Sequence, residues 1–132
     1  MPDTSTLTMS RHVDVAYPEA IARIKATLKD EGFGVLTEID VQTTLREKIG
    51  AEFRPYVILG ACNPGLAHRA LQASLDVGAL LPCNVLVYED AEGGSTISIF
   101  DPAVGMSVLD VPGLAAIAAE ARERLSRALA AA

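Results

Sequence analysis

Arg54-Pro-Tyr-Val-Ile-Leu-Gly-Ala-Cys-Asn-Pro-Gly65 decides how this chain is read. Tyr56 to Leu59 is short, apolar and rich in β-formers, as a core strand requires. Gly60 and Ala61 let the backbone close up at the strand end. Asn63 is a strong N-cap residue, and Pro64 suits the first helical position, where its missing N–H has no partner to lose. The stretch therefore reads as a buried strand running directly into a helix, with Cys62 at the joint. The helix carries Leu66, Ala67, Ala70, Leu71, Ser74 and Leu75 on one face and is expected to reach about Leu75.

Working outward, Leu7 to Val15 alternates like a half-exposed strand, with Arg11 breaking its apolar side. Pro18 opens a helix with Ile21, Ile24 and Leu28 at helical spacing, closed by Gly32. Phe33 to Ile39 is a second strand, and Asp40 caps a short helix over 41–49 with Leu45 and Ile49 expected inward. Beyond the opening stretch, Cys83 to Tyr88 and Ser95 to Phe100 are strands joined by a Gly93-Gly94 hairpin. Asp101-Pro102 stops the second of them, and residues 103–112 are expected to form a loop. A long helix over 113–130 carries Leu114, Ile117, Ala121, Leu125, Ala128 and Leu129. This order predicts an α+β fold: one mixed or largely antiparallel sheet with helices packed on one side. Residues 1–10 are expected to be a flexible lead into the first strand, and 11–132 a single domain.

The 132 residues suffice for one core, and 50% apolar content argues against disorder. The net charge of −6 lacks the basic footprint that nucleic acid demands, so no nucleic-acid partner is expected. No apolar run is long enough to span a membrane, and the N-terminus lacks a basic patch followed by an apolar core. The expectation is a cytoplasmic protein with reduced thiols.

Cys62 has two readings. A helix start favours its thiolate through free N–H groups and the helix dipole, which makes it a candidate nucleophile. Equally, a cysteine serves as a small buried residue chosen for packing. Cys83 precedes an apolar strand, where packing is favoured. Glu38, an acid near the end of an apolar strand, reads as a general base or, preferably, as an ion-pair partner of Arg54. The two cysteines with His68 and Glu38 would fill a four-ligand shell, but no CxxC or HxxxH spacing is present, so no metal site is expected. Serine-hydrolase and phosphate-loop motifs are absent, and nothing in the sequence names a cofactor.

Three segments together, Gly32-Phe-Gly-Val-Leu-Thr-Glu-Ile-Asp40, Phe53 to Pro64 and Leu80-Leu-Pro-Cys-Asn84, resemble the domain-of-unknown-function 302 family. The likeness runs from about residue 11 into the last helix, with Gly65 as its one visible departure. It implies a TATA-binding-protein-like topology (strand, helix, four strands, helix) and a homodimer, and it brings no settled activity. The family's motif residues fall on Glu38, Asp40, Arg54, Tyr56, Cys62, Asn63, Pro64 and Cys83.

Two functions follow as expectations. The first is a small-ligand-binding or accessory domain, with Arg54, Tyr56, Asn63 and Cys83 as ligand-binding residues. The second is a thiol-dependent redox or sulfur-transfer protein, with Cys62 and Glu38 as catalytic residues and Cys83 as a resolving partner. Cys62, Glu38 and Arg54 are expected to share one cleft, and the second strand faces, including Val13, Ile97 and Ile99, are expected to leave apolar area for a second copy.

Overall fold

The computed structural model of the protein describes residues 7–132. Its elements run β1 (Thr8–Val13), α1 (Tyr17–Asp30), β2 (Gly34–Asp40), α2 (Val41–Ile49), β3 (Tyr56–Cys62), α3 (Pro64–Ala73), a 3-10 segment (Leu75–Leu80), β4 (Cys83–Glu89), β5 (Ser95–Phe100), α4 (Pro102–Met106) and α5 (Leu114–Ala131). The strands form one sheet in the order β1-β5-β4-β3-β2, antiparallel at every pairing. β3 and β4 are interior strands of that sheet. Residues 8–10 already belong to β1, so the ordered domain starts ahead of residue 11. The rest of the expected N-terminal lead, residues 1–6, lies outside the described residues.

Alternation along the strands separates two faces. Val57, Leu59, Ala61, Val85, Val87, Ile97 and Ile99 are all buried. They pack with Ala20, Ile24 and Leu28 of α1 and with Leu114, Ile117, Leu125 and Ala128 of α5 in one core. Val13, Ile97 and Ile99 therefore face the chain's own helices, not a second copy as the sequence had suggested. The opposite face carries Tyr56, Ile58, Leu86 and Tyr88 on the two central strands and Ser10 and Ser98 nearer the β1 edge, the last two hydrogen-bonded at 2.7 Å.

Arg11 interrupts the apolar side of β1 for a specific reason. Its Nη1 donates to the carbonyls of Leu129, Ala130 and Ala132 at the C-terminus of α5. The last carbonyls of a helix have no partner within it, and a cation there also meets the negative end of the dipole.

Three local expectations change. α3 ends at Ala73, because Ser74 is extended and caps the following 3-10 segment through Asp76 N–H, so Leu75 is 86% exposed instead of lying in the core stripe. Ile49 of α2 points outward at 73% exposure, and α2 contains no buried residue. Residues 102–106 are a helix, not a loop. Asp101 accepts from Ala103 N–H at 2.9 Å and Pro102 takes the first position, the same cap-and-proline device as Asn63-Pro64. Two i, i+4 ion pairs run along α5, Glu120 with Arg124 at 2.9 Å and Glu123 with Arg127 at 2.8 Å.

Candidate functional site

β3 delivers the candidate residues, and its length separates them into two places. Arg54 and Tyr56 lie at its start, Cys62 and Asn63 at its end. Six residue steps at about 3.3 Å each put roughly 20 Å between Tyr56 and Cys62. A single cleft holding Arg54 and Cys62 is therefore not what forms. Glu38 joins neither group. It faces α1, where its Oε2 accepts from Lys25 Nζ at 2.9 Å, so its ion-pair partner is Lys25 instead of Arg54. The reason is register: Glu38 pairs with Leu59, a residue of the helix-covered face.

At the first place, the Tyr56 and Tyr88 rings stack with centroids 5.3 Å apart and planes 8° from parallel. Phe53 approaches Tyr56 at 5.8 Å, and the Arg54 guanidinium lies 5.9 Å from the Tyr88 ring centre while donating to the Glu89 carbonyl at 3.2 Å. Burial, with a smaller contribution from Tyr88, raises the Tyr56 phenol. Nothing local in the sequence singles out Tyr88 as a site residue; the Tyr56↔Tyr88 register reveals it.

At the second place, Asn63 Oδ1 accepts from Leu66 N–H at 3.1 Å, which fixes the start of α3 as expected. Its amide also packs against the α1–β2 turn: a Cβ on Gly32, whose φ is +84°, would meet Asn63 Nδ2 at 2.8 Å. Asn63 thus ties the two turns together beside Cys62. Cys83 pairs with Ala61, one step from Cys62, so the thiols stand diagonally across the end of the β3–β4 ladder, where β3 gives way to α3. Neither cysteine is in a disulfide.

Both cysteines line one cavity of about 30 Å³, enclosed by Phe33, Leu66, Ala70, Leu81, Met106 and Ile117 among others. Among the described residues of the lining, Asn63 is the only amide-bearing one and none is charged. Burial raises the Cys62 thiol, against the expectation that the helix start would lower it. The dipole contributes only about 0.3–1 kcal/mol, and the upward direction shows that burial outweighs it at this sulfur. The Cys83 thiol is pushed up to about 11, by burial first and by the neighbouring Cys62 second.

His68 is exposed on α3, as the sequence suggested. Among the described residues, no three of the His, Cys, Asp and Glu side chains cluster as a metal site. No helix among them is long and apolar enough to cross a membrane. A wider apolar groove of about 690 Å³ opens beside Leu75, Leu80, Phe100, Val104 and Val108, but Asp76 is its only ionisable lining residue. Both cysteines line the smaller cavity instead.

Comparison with known proteins agrees with this architecture. The chain resembles an uncharacterized conserved protein from Bacillus stearothermophilus, known from its crystal structure and described as DUF302. The two share 36% identity and a TM-score of 0.88, over 96% of this chain and 98% of that one. No curated protein matches. The sequence model of the family described as "Domain of unknown function DUF302" matches residues 9–132, nearly the whole chain, and the chain belongs to that family.

Proposed function

We propose that this domain is a small-ligand-binding or accessory protein whose ligand site is the Cys62–Cys83 cavity. One observation carries the reading: two unbridged cysteines line the same apolar cavity, and burial holds both thiols in their protonated form. A nucleophilic catalyst needs a thiolate at neutral pH. A thiol pair kept neutral in an apolar pocket suits instead a ligand that displaces the protons as it binds. Glu38, held by Lys25 on another part of the fold, has no part in this site.

Iodoacetamide labelling of the native protein across pH tests the reading. Cys62 is expected to label slowly at pH 7, with labelling rising only above the range of an ordinary thiol, and Cys83 only on unfolding. Rapid labelling of Cys62 at pH 7 would favour the thiol-dependent redox or sulfur-transfer alternative, in which Cys83 resolves an adduct formed on Cys62.

We further propose that the protein is a homodimer in the cytoplasm, joined through the sheet face opposite the helices. Support comes from the half-exposed Tyr56, Ile58, Leu86 and Tyr88 on that face, with exposed Ile39 beside them. A standard interface takes about 800 Å² from each partner, about a tenth of the 7461 Å² surface of the chain. Light scattering at micromolar concentration should give twice the chain mass, and Leu86→Glu should give a monomer with unchanged helical circular dichroism. A wild-type monomer would sink the dimer.

A further inference from the structure

The cavity that binds the ligand in the reading above has a chemistry of its own: it is lined by sulfur. Cys62 and Cys83 are joined on its wall by Met106, so every side chain there able to ligate a metal through a soft atom is a thiol or a thioether. Cys83 is only 7% exposed, is in no disulfide, and has the Cys62 thiol as its electrostatic neighbour. The space of about 30 Å³ is the size for one small ion or one water. Water would find almost no hydrogen-bonding groups on this wall, since it is nearly all apolar.

We propose that the cavity binds one soft monovalent cation, of which copper(I) is the type, through Cys62 Sγ and Cys83 Sγ, with the Met106 thioether as a third sulfur. This rests on the ligand-binding reading of the cavity and names the class of ligand. Thiolate and thioether donors select copper(I) over divalent metals that prefer nitrogen and oxygen. Zinc needs four ligands, commonly with histidine or carboxylate among them, and no such group lines this cavity. The step balances without a redox partner: one copper(I) ion enters from its chelator, two S–H bonds break, two copper–thiolate bonds and one dative copper–thioether bond form, and two protons leave to solvent. The bis-thiolate site then carries one negative charge, less than two bare thiolates would bring into the same apolar surroundings. The shared lining, at the end of β3 where its alternation gives way to α3, carries the arrangement. Cys83 pairs with Ala61 and not with Cys62, so the two cysteines that line the cavity do not stand directly opposite one another.

The test is an anaerobic titration of the reduced full chain with copper(I) held by the chromophoric chelator bicinchoninate, followed by competition. The expected result is removal of one equivalent of copper from the chelator. Affinity should rise by about a hundredfold per pH unit between pH 6 and 7, the signature of two protons released per ion. Cys62→Ser and Cys83→Ser should each abolish stoichiometric competition, and Met106→Leu should weaken it by about tenfold. Circular dichroism verifies that each variant is folded, and the wild-type stoichiometry and pH profile stand without the variants. Failure of the wild type to compete, competition that survives in folded Cys62→Ser, or equal binding of zinc(II) would overturn the proposal. If copper fails while Cys62 stays slow to alkylate at pH 7, the cation is wrong and the ligand-binding reading stands. Fast alkylation at pH 7 overturns that reading itself.

Discussion

Arg11 Nη1 lies 2.7 Å from the carbonyl oxygen of Ala130, so a residue of the first strand closes the last turn of the final helix. The same nitrogen reaches Leu129 and Ala132 at 3.0 and 3.3 Å. Arg11→Met keeps the apolar stem and removes all three contacts. It is expected to cost about 1–2 kcal/mol, as for loss of a charged hydrogen-bond donor at a partly exposed site. Urea unfolding measures the loss, and hydrogen exchange should quicken in α5's final turn while β3 and β4 stay protected. An unchanged midpoint would show the contacts to be worth nothing in solution.

Gly60 is buried in the middle of β3, opposite Asn84 and beside Thr37 of β2. A Cβ there would run into Thr37 Oγ1 and come within 2.7 Å of Pro82 Cγ. Both obstacles sit on ordered parts of neighbouring chain, so Gly60→Ala should destabilise by about 1–3 kcal/mol through overpacking. Gly60→Ala with Thr37→Ser should recover nothing, because Ser keeps the hydroxyl. Gly60→Ala with Thr37→Gly relieves that contact and should recover part of the loss. Thermal unfolding of the set checks the order.

Asp101 does two things with its two oxygens. Oδ1 caps α4 through Ala103 N–H, and Oδ2 accepts from Arg122 Nε at 2.9 Å, tying α4 to α5. Asp101 is nearly buried at 8% exposure. Asp101→Asn retains a cap and loses the ion pair, and should cost about 1 kcal/mol. Asp101→Ala loses both and should cost about 2–3 kcal/mol. Equal midpoints for the two variants in urea would refute the division of roles.

Cys83 makes stability depend on alkaline pH. Its thiol holds its proton to about 11 in the fold, against 9.0 for the ordinary group. The folded pKa is the higher one, so the unfolded chain ionises first. The stabilisation is complete below pH 9 and is lost as pH rises toward 11. Two pKa units correspond to about 2.7 kcal/mol. Cys83→Ala should flatten the fall in unfolding free energy between pH 9 and 11. A wild-type profile no steeper than that of the variant would show that Cys83 is not the group responsible.

Much of the fold is written locally. Alternation located the first and last strands and short apolar runs located the others, and Asn63-Pro64 placed the start of α3 to the residue, because capping is settled by a few adjacent side chains. Asp101-Pro102 carries the same signal, and reading it only as a strand stop hid α4. The helix faces were legible for α5, where every expected stripe residue is buried, and failed at Leu75 and Ile49. Those two lie at or past helix ends, where periodicity no longer constrains direction.

The site is a different matter, because it depends on which residues the folded chain brings together. The sequence identified Cys62, Cys83, Arg54 and Tyr56 but not how they divide. Arg54 and Cys62 are close in sequence and far apart in space, since an extended strand carries them to opposite ends of the sheet. Cys62 and Cys83 are distant in sequence and meet because β3 and β4 pair Ala61 with Cys83. Glu38 lost Arg54 and gained Lys25 by the same kind of pairing, Glu38 with Leu59. Register is set by the packing of whole sheet faces against the helices, which no local stretch of sequence contains.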